Sequence, residues 1–152
     1  MQIFVEEKGL GHSYEIQETF DAGIVLAGFE VKAIRAKKAS LRGAVVKVAQ
    51  DGAYLLGAHI APYQPLNTPK NYEPRRPRKL LLTAKELRYL IGKTSQKGLT
   101  LLPLSLYTTG AWIKLKVALA RHLKKHDKRE KLKEKEFVRR KAKLEGRTSS
   151  LR

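Results

Sequence analysis

The chain contains no cysteine, which excludes a disulfide framework, a thiolate metal site and a cysteine nucleophile. No apolar run approaches the roughly 20 residues that a membrane span requires. The opening segment MQIFVEEKGLGHSYE also lacks the basic start and apolar middle of a secretory signal. We therefore expect a soluble, cytoplasmic protein that has no membrane partner.

Acidic residues are scarce, since 14 Asp and Glu stand against 32 Lys and Arg, for a net charge of +18. The first 120 residues carry 18 basic and 9 acidic side chains, and residues 121–152 carry 14 and 5, so each part contributes +9. Charge of this size indicates a polyanionic partner. Residues 121–152 have too few large apolar side chains for a membrane-surface helix, which favours nucleic acid over an anionic membrane.

The length of 152 residues fits one domain with an appendage. We predict a flexible lead at 1–11, a nucleic-acid-binding domain at 12–120 and a basic tail at 121–152. The tail can bury almost nothing, so it cannot offset its own ordering entropy. We therefore expect it to be disordered in the free protein.

The first half of the domain shows strand, helix and hairpin patterns. The alternation in SYEIQETF predicts a half-buried strand that Ile24–Leu26 continues. Phe29, Ala33 and Ile34 then share one face of a predicted short helix, opposite Glu30, Lys32 and Arg35. Asp51-Gly52 between two β-prone runs predicts a tight hairpin. Five of the six prolines follow between Pro62 and Pro77, which indicates a loop.

The second half predicts one helix and a second hairpin. Thr83 and Glu86 have the spacing of a capping box, and Gly92 is a candidate stop, so we predict a helix over 84–91. Two strands flank the TTG turn, and the second turns Ile113, Leu115, Val117 and Leu119 to one side and Lys114 and Lys116 to the other. Five or six strands with one or two short helices suggest a mainly β fold, a small antiparallel barrel of the oligonucleotide-binding (OB) type.

Apparent catalytic motifs carry little weight. IGKTS ends like a phosphate-binding loop, but Leu87 replaces the required glycine and the motif follows a helix. His122 and His126 have the i, i+4 spacing of zinc ligands, yet the surrounding lysines repel a cation. His12 and His59 have no predicted geometry that would bring them together for RNA cleavage. We expect no metal, no cofactor and no enzymatic activity.

Five separated segments together resemble the bacterial SsrA-binding proteins, also named small protein B. They are YEIQETFDAGIVLAGFEVKAIRA, AHIAPY, NYEPRRPRKLLL, KGLTLLPLSLY and VALARHLKKHDKRE, and the likeness runs from about His12 to Phe137. The resemblance implies a six-stranded OB-type barrel with one to three short helices and a basic tail. It also implies a monomer that binds the tRNA-like domain of transfer-messenger RNA.

The resemblance further implies a task in ribosome rescue. Such proteins join the RNA with elongation factor Tu and deliver it to stalled ribosomes for trans-translation. Their tail enters the empty message channel of the small subunit and becomes helical there. The pairs Asp127–Lys131 and Glu136–Arg140 would support a marginal helix in this chain.

Candidate site residues follow from the matching segments. The RNA-facing set implied by the family is Asp21, Glu30, Lys32, Arg35, Lys38, Arg75, Arg76, Arg78, Lys79, Leu81 and Thr83. The set implied to contact the ribosome is Lys124, Lys125, His126, Asp127, Lys128, Arg129, Lys131, Lys133 and Phe137, with His126 stacking on a decoding-site base. Alternatives stay open: Glu30 could pair with a lysine, Leu81 could be core, and His126 could be an exposed helix residue.

The chain departs from the family pattern at several positions. Lys37 and His122 replace usual glycines, and His122 stands where a hinge to the tail is expected. Two other functional classes also remain open. A ribosomal or RNA-chaperone protein would bind many structured RNAs alike, and an RNA-processing enzyme would consume its substrate.

Overall fold

The structure is a computed structural model. It describes residues 1–150, and it describes side chains for all of these except 125–128, 131 and 145–150. The strands are β1 (Gln2–Glu6), β2 (Tyr14–Ile24), β3 (Ala39–Ser40), β4 (Val45–Ala49), β5 (Gly52–Leu56), β6 (His59–Ile60), β7 (Arg78–Leu81), β8 (Leu99–Thr109) and β9 (Trp112–His122). The helices are α1 (Gly28–Arg35), α2 (Ala84–Thr94) and α3 (Lys125–Ser150), with 3-10 turns at Gly9–His12 and Pro65–Asn67. The chain is therefore mainly β, with antiparallel pairing throughout these strands.

One large sheet organises the fold. Its strand order is β1-β8-β4-β5-β7-β2-β9, and β8 also pairs with β9. The pairings β8–β4, β4–β5, β5–β7, β7–β2, β2–β9 and β9–β8 consequently run in a cycle of six strands. A single residue pair, Val46 with Leu101, makes the β4–β8 link. A separate pair, β3 with β6, lies beside this sheet.

Both predicted hairpins are confirmed. β4 and β5 pair across Gln50 and Asp51, with Gly52 opening β5 at a φ of 147°. β8 and β9 pair along their length around Gly110 and Ala111. Ile113, Leu115, Val117 and Leu119 are buried, as their alternation with lysine predicts.

The N-terminal segment differs from the predicted flexible lead. β1 pairs with β8, and Phe4 is only 8% exposed in the core. Five residues are too short a run for the alternation to stand out from the surrounding acidic and glycine residues. The folded unit therefore begins near Gln2.

Helices α1 and α2 follow the sequence in part. The capping box of α2 is confirmed, because Glu86 N–H donates to Thr83 Oγ1 at 3.1 Å and Thr83 N–H donates to Glu86 Oε1 at 3.2 Å. The predicted stop at Gly92 is wrong, since α2 continues to Thr94. An exposed glycine inside a helix costs only about 1 kcal/mol, which packing of Leu90 offsets. In α1 the burial of Ala33 and Ile34 agrees with the prediction, but Glu30 is buried with them.

The C-terminal strand runs two residues past the predicted domain boundary at 120. His122 pairs with Tyr14 in β2, so it lies in a strand rather than at a hinge. Leu123 is 3% exposed, and its N–H donates to Ser13 O at 2.9 Å. Helix α3 then covers 26 residues. Within residues 1–150, no helix combines the length and the apolar character that crossing a membrane requires.

Candidate nucleic-acid interface

A buried carboxylate begins the site. Ala27, the residue that caps α1, has no side-chain oxygen, so Glu30 Oε1 accepts the free Ala27 N–H at 2.9 Å. Arg78 Nε donates to Glu30 Oε2 at 2.7 Å, and Arg76 Nη2 contacts Glu30 Oε1. The carboxylate that completes the start of α1 is therefore also the partner of Arg76 from the proline-rich loop and of Arg78 from β7.

All three guanidinium nitrogens of Arg78 donate hydrogen bonds inside the fold. Nη1 donates to Ala58 O at 2.8 Å, and Nη2 donates to Pro74 O and to Tyr72 Oη, both at 2.9 Å. Glu30 and Arg78 are both 0% exposed. The ion-pair partners of Glu30 are arginines rather than a lysine, and contact of either buried side chain with RNA stays a prediction. Burial of the pair is tolerated because every charge is matched by hydrogen bonds.

The charge on Glu30 is well supported. Burial alone would raise the pKa of Glu30, but hydrogen bonds from Arg76, the Ala27 amide and Arg78, with the Arg78 charge, bring the pKa below its ordinary value. The carboxylate is therefore ionised at neutral pH and holds both arginines.

Above this network, α1 and the loop at 61–77 border a groove, named here the α1–loop groove. Gly28, Phe29 and Lys32 line one wall and Tyr63, Gln64 and Asn67 the other. Lys38 Nζ lies 5.7 Å from the Tyr63 ring centroid. Ammonium groups beside accessible rings suit the phosphates and unstacked bases of RNA.

Two of the predicted cations belong to this groove, Lys32 in its wall and Lys38 beside Tyr63, and the others have contacts elsewhere in the fold. Lys32, Lys38, Arg35 and Arg75 are exposed. Arg35 Nη2 donates to Ala111 O at 3.5 Å, and Arg75 Nη1 donates to Gly57 O at 3.0 Å, so these two guanidinium groups are held by the β8–β9 and β5–β6 connections. Arg76 keeps 37% of its side chain exposed while it pairs with Glu30.

A second part of the predicted set follows β7. Leu81 is 55% exposed, which excludes the core alternative. A Cβ on Gly23 would lie 3.1 Å from Leu81 Cβ, so glycine at this position leaves room for the Leu81 side chain. Lys79 is exposed on the same strand, and Thr83 caps α2 with its hydroxyl.

Asp21 lies apart from the α1–loop groove. Tyr107 Oη donates to Asp21 Oδ1 at 2.5 Å, and Lys116 Nζ is 3.9 Å from the same oxygen. Burial, together with the hydrogen bond to Asp21, raises the pKa of Tyr107 to about 12. The Asp21 carboxylate therefore orders the Tyr107 and Lys116 side chains, and its contact with RNA stays a prediction.

The predicted ribosome-contacting residues follow β9. Lys124, Arg129, Lys133 and Phe137 are exposed, Phe137 at 68%. The side chains of Lys125, His126, Asp127, Lys128 and Lys131 lie outside the described residues. Those described side chains are therefore accessible to a large partner.

The sequence alone did not single out Tyr72, Phe29 and Tyr63 as site residues. Phe29 was placed on the apolar face of the predicted helix. The two tyrosines lie in a proline-rich loop, where no periodic pattern indicates their role. Aromatic residues interleaved with Arg and Lys in a proline-rich loop were the available signal.

Comparisons with known proteins identify relatives of this chain. The family model described as SmpB protein matches residues 4–146. The chain is 47% identical to the SsrA-binding protein of Microcystis aeruginosa, with 88% of this chain and 86% of that protein covered. It is 50% identical to the SsrA-binding protein of Acaryochloris marina, with 89% and 88% covered.

A solved structure gives the same result. The chain in "tmRNA-SmpB: a journey to the center of the bacterial ribosome" matches with a TM-score of 0.62 and 44% identity, over 78% of this chain and 87% of that one.

Proposed function

This chain belongs to the SmpB family, and from that membership we propose that it binds transfer-messenger RNA and takes it to stalled ribosomes for trans-translation. The domain at 1–123 recognises the tRNA-like domain of that RNA. The basic tail acts on the ribosome. The protein works by binding and positioning, without a catalytic step of its own.

One observation carries the RNA-binding assignment. Exposed cations and aromatic rings meet in the α1–loop groove, and its two walls are held by a buried network whose charges are paired. A surface that is already ordered before binding loses little conformational entropy when the partner binds. The excess of basic residues supplies the remaining, salt-sensitive attraction.

The cyclic strand pairing supports a finer description of the fold. Six strands in a closed order of pairings, with a helix between β7 and β8, fit a barrel of the OB type. In this arrangement the groove and Leu81 belong to a barrel surface that takes the place of an anticodon arm.

The tail is proposed to enter the empty message channel of the small subunit. Helix α3 has 26 residues, a length of about 39 Å, which suits a channel better than a flat patch. Leu132, Phe137, Val138 and Leu144 are exposed along it, so a partner can bury them. The tail then acquires its stable shape from the ribosome, as its composition suggests.

Further partners follow from the same proposal. The protein acts as a cytoplasmic monomer and meets elongation factor Tu through the shared RNA. It has no cofactor.

RNA preference is the direct test. We expect tighter binding to the tRNA-like domain than to bulk tRNA, and the ratio should persist as rising salt weakens both affinities. Equal affinity across the salt series would instead identify a general RNA chaperone. Loss of intact RNA on incubation would identify a processing enzyme.

A truncation after Lys124 separates the two parts. It keeps Leu123, which is packed in the fold, and removes α3. We expect RNA preference to survive and peptide tagging on stalled ribosomes to be lost. Tagging at the full-length level would contradict the role given to the tail.

A further inference from the structure

The Tyr72 hydroxyl joins three elements of the fold. It lies within donating distance of Glu30 Oε2, at 3.0 Å, and of Ile60 O, at 2.9 Å. It accepts a hydrogen bond from Arg78 Nη2 at 2.9 Å. The one hydroxyl therefore connects the loop to α1, β6 and β7.

The Tyr72 ring adds a second contact to α1. Its centroid is 4.7 Å from that of Phe29, with the planes at 87°, an edge-to-face arrangement. Phe29 is itself part of the groove wall. A shift of Tyr72 would therefore move a residue that a bound nucleotide would meet.

Side chains hold the two walls of the groove together. Glu30 in α1 contacts Arg76 and Tyr72 from the loop, and Phe29 contacts the Tyr72 ring. The loop residues themselves are ordered by short-range bonds, such as Tyr72 N–H to Pro69 O at 3.0 Å and Arg76 N–H to Glu73 O at 3.1 Å. The distance between the walls thus depends on a few polar groups centred on Glu30.

We propose that Tyr72 is a positioning residue, whose hydroxyl holds the loop at 61–77 against α1 and so sets the width of the α1–loop groove for one nucleotide of the bound RNA. This inference rests on the proposed function. Lys32 and Lys38 meet the phosphate, and Phe29 and Tyr63 meet the ribose or base. Tyr72 acts through these residues and does not touch the RNA.

Tyr72→Phe tests the proposal, because it keeps the ring against Phe29 and removes only the hydroxyl. Tyr89→Phe is the matched control. Its hydroxyl also bonds a carboxylate across the fold, at 2.7 Å and 2.9 Å from the two Glu18 oxygens, but it joins α2 to β2. Affinity for the tRNA-like domain is measured over a salt series below the melting temperature of each variant.

We expect Tyr72→Phe to bind the RNA about five- to tenfold more weakly, the scale of one lost hydrogen bond. The slope of log affinity against log salt should also fall in magnitude by about one unit, because one phosphate contact is lost. Tyr89→Phe should keep the wild-type affinity and slope. Each titration is made well below the melting temperature measured at the same salt concentration, so that the folded fraction stays near one and destabilisation alone changes neither the affinity nor the slope.

The outcomes distinguish this inference from the proposed function. Wild-type affinity and slope in Tyr72→Phe overturn the positioning role while the wild-type RNA preference stands. A wild-type protein that does not distinguish the tRNA-like domain from bulk tRNA overturns the proposed function itself. An equal loss in both tyrosine variants also contradicts a specific role for Tyr72.

A measurement on the wild-type protein covers the case in which Tyr72→Phe does not fold. Hydrogen exchange of the Ile60, Tyr72 and Arg76 amides should be slow in the free protein, because each donates to a backbone oxygen when the loop is in place. The acceptor of Ile60 N–H, Pro74 O, is also bonded by Arg78 Nη2. RNA should slow it only slightly further. Fast exchange that becomes slow only with RNA would show that the groove forms on binding, and it would overturn the proposal.

Discussion

Lys37 ends helix α1 in a conformation that favours glycine. Its φ is 61°, its N–H donates to Ile34 O at 2.9 Å, and Lys38 N–H donates to Ala33 O at 2.8 Å. This pair of bonds is the usual one when glycine follows a helix. Position 37 therefore has the backbone geometry that favours glycine although a lysine occupies it.

Lys37→Gly should stabilise the protein. The side chain at positive φ costs about 1 kcal/mol, and the greater chain entropy of glycine offsets part of this gain, so we expect an increase of about 0.5 kcal/mol in the free energy of unfolding. Urea denaturation measures it. Lys38→Gly is the control and should lose stability, since Lys38 has no positive φ. A Lys37→Gly variant less stable than wild type would contradict the strain.

Glu30 should make stability depend on acid. Its pKa in the folded protein is below its ordinary value of 4.5, so the unfolded chain binds the proton first. The stabilisation is complete above 4.5 and is lost as pH falls through the lower folded value. Urea midpoints measured from neutral pH downward should fall in this range, and Glu30→Gln should be less stable at neutral pH with a shallower acid dependence. A parallel decline in both proteins would contradict the assignment to Glu30.

For single residues, the sequence predicted those contacts whose two partners are close together in the chain. The Thr83 and Glu86 cap was predicted because both partners lie within one turn. The partners of Glu30 lie 42 to 48 residues away, so helix periodicity placed Glu30 on the outer face. Burial of a charged residue can be predicted from sequence only when the residues that neutralise its charge are known.

Strand β1 is the element whose role can be tested most simply. Phe4→Ala should lower the free energy of unfolding by about 3 kcal/mol, because it opens a cavity in the core beneath β1. Ile3→Ala, on the exposed side of the same strand, should change it by less than about 1 kcal/mol. Thermal or urea unfolding gives both values. A small effect at Phe4 would contradict the packing of β1 and restore the flexible lead.

The elements that were predicted well are those with local partners. β4–β5 and β8–β9 are hairpins, so turn residues and alternation fix them together. β1 pairs with β8 across about 100 residues, and no turn signal links the two. The cycle of strand pairings likewise depends on one distant residue pair and could not be derived from sequence periodicity.

For the whole molecule, helix α3 is the part least supported by packing. Its described side chains, Arg129, Glu130 and 132–144, are exposed. An isolated helix with little tertiary contact is marginal in water. The composition predicted a tail that needs a partner, and that dependence stays a prediction.

A peptide of residues 124–150 tests this dependence. We expect circular dichroism to show less than about half helix in dilute buffer, because few residues gain from packing. Small ribosomal subunits should protect its amides from exchange. The truncated domain should melt at nearly the full-length temperature. A fully helical free peptide, or a domain that unfolds without the tail, would contradict the two-part scheme.

Strand β8 pairs with β1, β4 and β9, and it is synthesised only after residue 98. A nascent chain interrupted before that point has no partner for β1 and leaves β2 with two pairs to β7. Its strand edges stay open to proteases and to other chains. The strand cycle can consequently close only after the residues of β8 and β9 have been made, late in translation.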